Sequence, residues 1–223
     1  MEPEEIKLAQ YINELSVSHV KFTKLGEDIS QANNQAKYVV DSLASSVINR
    51  TIQLTQGYVT LVNTNNYIAA IPLIRIQLDN ALRFFSIFQV TDANDFVSYF
   101  MDAKPVYQYK SHTGEKLTDS YLAKKLDDIF PGIFRLYKET CDYVHLSRQH
   151  VHASKYFDAK GEVRLQVMDV NKGIDAFSLE AKINFAYNML EVGKLIWVIL
   201  DKWKQTKQSF PIPDPANARS VFL

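Results

Sequence analysis

Two long stretches, residues 31–61 and 66–89, carry apolar side chains at helical spacing and are joined by little more than Asn63-Thr64-Asn65-Asn66. Nothing else in the chain constrains its fold as much. In the first stretch Tyr38, Leu43, Val47, Ile48, Leu54 and Tyr58 recur near a period of 3.6 residues, which predicts a helix. The second is apolar nearly all round, the mark of a helix enclosed by others. Asn and Thr side chains in the connection are suited to accept from free amides at a helix start. Helices this long point to a bundle rather than to a compact globule.

The rest of the chain fits the same plan. It has seven Gly and seven Pro in 223 residues, about 3% each against averages of roughly 7% and 5%. Few turn-makers mean few turns. A first helix is predicted over 4–22 from Leu8, Tyr11, Ile12, Leu15 and Phe22, with "KLGED" (24–28) breaking it. Pro72 lies inside the central helix and is expected to kink it or loosen its first turns. A short helix over 93–101 precedes a polar loop (104–116). Helices over 118–129 and 132–150 are then separated by Pro131.

The stretch 155–167 alternates Val163, Leu165 and Val167 with polar residues after a turn and predicts a β-hairpin. A last helix over 179–204 carries Ile183, Tyr187, Leu190, Lys194, Trp197 and Leu200 at helical spacing. The expected fold is all-α: a multi-helix bundle of long antiparallel helices with one short β-hairpin insertion. Residues 1–208 are expected to form a single domain, and 209–223, with prolines at alternate positions, an extended tail.

Basic and acidic residues balance at 25 each. The chain as a whole therefore offers no large field for nucleic acid or anionic membrane, though a local patch is compatible with that balance. The acidic "MEPEEIKLAQ" has no apolar signal region, and the most apolar stretches read as too short or too charged to span a bilayer. The single Cys141 fits a reducing compartment. These observations predict a cytoplasmic protein with no membrane partner.

The segment "YVHLSRQHVHAS" (143–154) holds three of the five histidines. At about 100° per residue, Cys141, His145, Arg148 and His152 fall near one line of a helix, and Tyr143, Ser147 and His150 near another. His145 and His152 would stand about 10 Å apart along the axis, too far for one metal ion with bonds of roughly 2.0 Å. No metal and no cofactor are therefore expected. Ser147 with His150 lacks the strained elbow and the oxyanion donors that a serine hydrolase needs. Arg148 and His152, at i and i+4, suit acid–base chemistry on a phosphodiester: the guanidinium holds phosphate and the imidazole moves a proton. The same two side chains equally suit the negative end of a helix dipole. Both readings stand at this point.

"IRIQLDNALRFF" places Arg75, Asp79 and Arg83 at i, i+4 and i+8 on the most apolar helix. Charges there are costly unless paired. One reading is a ladder through Asp79. The other is a cleft in which an arginine faces the histidine helix and binds an anion.

Taken together, "PLIRIQLDNALRFF" and "YVHLSRQHVHAS" resemble motifs of bacterial helical domains of unknown function placed among the HEPN-like bundles. In those, Leu-Leu-Arg-x-x-x-Glu is followed by Tyr-x-x-x-Ser and Val-His-x-Ser. The matching positions are Arg75, Asp79 (where the pattern has glutamate), Tyr143, Ser147 and Val151 to Ser154. The resemblance covers about residues 35–200. Active HEPN members are metal-independent ribonucleases of toxin and phage-defence systems. Their signature separates Arg and His by four to six residues, whereas three lie between Arg148 and His152.

The resemblance implies either a non-catalytic interaction or nucleotide/RNA-binding module, or a metal-independent endoribonuclease in bacterial stress or phage defence. Arg148 and His152 are the candidate catalytic residues. Arg75, Asp79, Tyr143, Ser147 and His145 are the candidate binding residues. The expected partners are RNA or a nucleotide and a second copy of the chain in a homodimer.

Overall fold

The computed structural model describes residues 2–144, 155–157, 160, 162–165 and 177–210. Helices α1 (Pro3–Val17), α2 (His19–Gln31), α3 (Val39–Asn63) and α4 (Tyr67–Phe85) come first. α5 (Ala93–Met101), α6 (Asp119–Asp127) and α7 (Ile133–Val144) follow. Strands β1 (Lys155–Phe157) and β2 (Val163–Leu165) precede the last helix, α8 (Leu179–Lys207). The bundle is all-α in character. β1 and β2 pair antiparallel over three residues each, with Lys155 opposite Leu165.

α1 begins with Pro3 in its first turn, where a missing amide hydrogen costs nothing, and with Glu4 and Glu5 at the positive end of the dipole. The first predicted helix was expected to run through Phe22 and break at "KLGED". The break instead falls at Ser18, whose hydroxyl donates to the Leu15 carbonyl at 2.8 Å. α2 then runs through Gly26. One glycine costs a helix about 1 kcal/mol, and Gly26 lies where α2 meets α3: a Cβ there would be 3.5 Å from Ile48 Cδ1. α2 ends where Asn33, Asn34 and Gln35 all take positive φ, 53°, 53° and 64°. The second predicted helix therefore starts at Val39 and not at residue 31.

α3 and α4 form an antiparallel hairpin. Asn65 takes φ 58° in the turn, and Asn66 caps α4 by accepting from the Ala69 amide at 3.3 Å, the role predicted for this asparagine-rich turn. Gly57 faces Leu73, Thr51 faces Gln77 and Arg50 faces Asn80, so the register is regular along the pair. α4 is continuous through Pro72. It packs against α3, α7, α6 and α8, which explains why Ile71, Ile74, Leu78, Ala81, Leu82 and Phe84 are buried almost completely.

α8 is long and apolar enough, by length and composition, to cross a membrane. In the fold it is a central helix packed on α1, α2 and α4. Its buried face is Ala186, Met189, Val192, Leu195, Ile196, Ile199 and Trp203, together with Leu190 and Leu200 of the predicted stripe. Tyr187, Lys194 and Trp197 of that stripe are exposed. α8 carries apolar residues on two adjacent faces, and periodicity alone does not say which one is covered.

At the far end of α8, Lys207 is buried completely. Its ammonium donates to the Ile29 carbonyl at 2.7 Å and to Asp41 Oδ2 at 2.9 Å. Trp203 Nε1 donates to the other oxygen of Asp41 at 3.0 Å. Phe210 packs on the rings of Tyr38 and Trp203, so the chain is held here as it leaves the helix. The rest of the predicted tail lies outside the described residues.

Candidate functional site

One stripe of α4 escapes full burial: Pro72, Arg75, Ile76, Asp79 and Arg83. The three charged residues were singled out in the sequence, and α6 and α7 decide what becomes of them. Asp119 is the first residue of α6, placed by Thr118, whose hydroxyl caps that helix at the Tyr121 amide. Its carboxylate accepts from Arg75 Nη2 at 3.1 Å and from Arg83 Nη2. Asp79 lies 3.2 Å from Arg83 and 3.6 Å from Arg50 of α3. The ladder expected within one helix is thus half right. Asp79 pairs with Arg83, whereas Arg75 turns to α6.

Arg75 faces α7. Its guanidinium lies over the Tyr137 ring, 4.7 Å from the centroid. Burial opposes its charge, but the Cys141 sulfur, Asp119 and Asp79 more than offset this and hold its pKa above the ordinary arginine value. Burial, with Cys141 and Asp119, pushes the Tyr137 phenol up. Tyr137, Cys141 and Val144 stand at i, i+4 and i+7, one face of α7.

Arg50, Arg75, Ile76, Asp79, Cys141 and Val144 line a cleft of about 230 Å³. Val144, the last described residue of α7, is exposed at its edge. Among the described residues, three arginines of this cluster face two aspartates, an excess of one positive charge. Arg83 Nη1 is buried with no hydrogen-bond partner among the described residues. A polar chain leads inward from the cleft. Arg50 donates to Asn80 Oδ1 at 2.9 Å, Asn80 to Gln77 Oε1 at 3.1 Å, and Gln77 reaches Thr55 at 3.5 Å.

Of the other candidates, Tyr143 packs edge-on against Phe185 of α8, 6.0 Å between centroids. Burial, then Asp142 and Glu139, raise its pKa. His145, Ser147, Arg148 and His152 lie outside the described residues. Among the described residues no group of three His, Cys, Asp or Glu side chains is placed to hold a metal. Sequence reasoning missed Arg50, Asp119, Tyr137 and the Gln77–Asn80 pair. The last did leave a signal: polar residues three apart on an apolar helix face, opposite Thr51 and Thr55 four apart on its neighbour.

No protein-family model, curated protein or solved structure gives a significant match to this chain.

Proposed function

We propose that the chain is a non-catalytic module that binds the phosphates of RNA or a nucleotide at the Arg50–Arg75 cleft. One observation carries this reading. Two adjacent helices bring two guanidiniums, Arg50 and Arg75, to a cleft whose lining, among the described residues, holds one carboxylate, Asp79. An arginine already seated on an aromatic ring and on one carboxylate is oriented before any ligand arrives. That lowers the ordering cost of a bidentate phosphate contact. The net balance of the chain is no obstacle, since phosphate recognition depends on the local excess. The reading takes the resemblance to HEPN-like bundles as its frame, with the strand pair as a hairpin insertion between α7 and α8. A homodimer belongs to it, because Val144 beside the cleft is an exposed apolar side chain.

A second reading, a metal-independent endoribonuclease acting through Arg148 and His152, draws on the same geometry. Val144 lines the cleft, and the first histidine of the histidine-rich segment is the very next residue in the sequence.

Anisotropy of a labelled single-stranded RNA tests both. The binding reading expects Arg50→Gln and Arg75→Gln each to weaken binding about tenfold and to lower the salt dependence by about one phosphate contact. RNA binding unchanged in the double variant would overturn it. Cleavage of the RNA in chelator, abolished by His152→Ala, would instead establish the enzyme.

A further inference from the structure

We propose that Asn80 and Gln77 are positioning residues of the cleft: a buried amide relay of fixed polarity that holds the Arg50 guanidinium toward an incoming phosphate. The proposal rests on the phosphate-binding reading and adds that the affinity of the site is set from inside the bundle.

The relay lies in the seam between α3 and α4. Thr51, Thr55, Gln77 and Asn80 are all buried, so water does not replace a partner that is lost. Its polarity is fixed at both ends. A guanidinium only donates, so Arg50 Nη1 must face Asn80 Oδ1, 2.9 Å away. That turns the Asn80 amide nitrogen inward, to Gln77 Oε1 at 3.1 Å and more distantly to Thr51 Oγ1 at 3.5 Å. The Gln77 nitrogen then faces the Thr51 carbonyl at 3.4 Å and Thr55 Oγ1 at 3.5 Å, and a carbonyl only accepts. Turning the Asn80 amide over would set donor against donor at Arg50. Turning Gln77 over would set acceptor against acceptor at Thr51.

Arg50 is the end of this chain that meets solvent, with half of its side chain exposed. An untethered arginine at such a place spreads over many rotamers, and ordering it on binding costs affinity. Asp79 does not order it: at 3.6 Å its carboxylate attracts the guanidinium without a hydrogen bond. Among the described residues the bond to Asn80 is what fixes the guanidinium. One bond leaves the rest of the planar fork for phosphate oxygens. Arg75 is held separately, on Asp119 and over Tyr137, so a change in the relay acts on one of the two cleft guanidiniums.

Anisotropy of a labelled single-stranded RNA on the full chain, with NMR of the Arg50 side-chain nitrogens, tests this. The main variant is Asn80→Leu/Gln77→Leu, which replaces the bonded pair by apolar groups of similar shape and leaves neither amide unmade. It should weaken RNA binding about fivefold, the cost of ordering one long side chain on binding. On Arg50→Gln the same change should add nothing, whereas on Arg75→Gln it should multiply. The Arg50 guanidinium signal, assigned by its absence in Arg50→Gln, should show hindered rotation in the ligand-free parent and free rotation in the double variant. Gln77→Leu alone releases the Asn80 amide to turn over. It should show the same pattern at smaller size, and it decides should the double variant fail to fold. Unchanged RNA binding by the folded double variant, a further loss on top of Arg50→Gln, or free rotation of Arg50 in the parent would each overturn the proposal and leave the phosphate reading standing. A parent that binds no RNA would overturn that reading and this proposal with it.

Discussion

Two clusters of charge lie at different depths in this bundle. At the end of α8, Lys207 is 0% exposed and Asp41 14%. Between α4, α6 and α7, Arg75 is 13% exposed, Arg83 22%, Asp79 25% and Asp119 29%. The first cluster is saturated. Asp41 takes the Lys207 ammonium on one oxygen and the Trp203 indole on the other, and also accepts from the Tyr38 amide that opens α3 at 3.0 Å. Among the described residues, the second has a positive excess and an Arg83 nitrogen with no hydrogen-bond partner. A sealed pair in which both carboxylate oxygens are engaged ties elements together. A part-open cluster with charge to spare can still take a ligand. That contrast separates a structural ion pair from a candidate site.

The comparison is broken most readily at Asp41. Asp41→Ala leaves Lys207 buried without a counter-ion and removes the acceptor at the start of α3. The expected cost is about 3–5 kcal/mol, read from the urea midpoint. Lys207→Met should cost less, because Asp41 keeps Trp203 and the Tyr38 amide as donors. A loss below about 1 kcal/mol for Asp41→Ala would mean that Lys207 reaches water, and the two clusters would no longer differ in kind.

Asp119→Ala is the matching change in the cleft, with an expected cost of about 1.5–3 kcal/mol. Arg75 and Arg83 lose their shared acceptor but keep partial access to solvent and, for Arg83, Asp79. Unlike the Asp41 variant, this one should bind RNA more tightly than the parent, since it removes one of two neutralising charges. Destabilisation without a gain in affinity would make Asp119 purely structural and count against the phosphate reading.

The helices were legible because their signal is local. The α3–α4 hairpin, its asparagine turn and the cap at Asn66 follow from spacing and side-chain chemistry within a few residues. The end of α2 and the start of α3 were not, because a left-handed run over Asn33, Asn34 and Gln35 leaves no periodic trace. The charged stripe of α4 was legible as an anomaly: Arg75, Asp79 and Arg83 stand where apolar residues belong. Its resolution was not. The partner of Arg75 is 44 residues away, and an aspartate just after a threonine at the start of a helix reads as ordinary dipole and cap chemistry. Arg50 carries no signal in the sequence, and only packing sets it across from Asn80.

Asp79→Ala comes next in size, at about 1 kcal/mol. Its i,i+4 pair with Arg83 is part-exposed, and its contact with the well-exposed Arg50 is long. Equal destabilisation by Asp79→Ala and Asp119→Ala would mean that Asp79 is the true anchor of Arg83.

The smallest expected effect sharpens the contrast without altering a residue at either cluster again. Salt at 1 M shortens the screening length to about 3 Å, from about 10 Å at 0.1 M. Screening acts through solvent, so it reaches pairs with exposed faces and largely spares a pair sealed in the core. The penalty of Asp79→Ala should therefore shrink by a few tenths of a kcal/mol between 0.1 and 1 M NaCl, as surface-like pairs do. The penalty of Asp41→Ala should stay the same within error. Chloride could mimic the effect by stabilising the parent fold, so each variant is compared with the parent at the same salt. Repeating the series with sodium sulfate separates screening from anion binding. A doubly charged anion seated at the Arg50–Arg75 cleft would stabilise the parent more than the Arg75→Gln variant, whereas screening alone would treat them alike. Equal salt responses for the Asp79 and Asp41 penalties would mean that depth does not distinguish the two clusters.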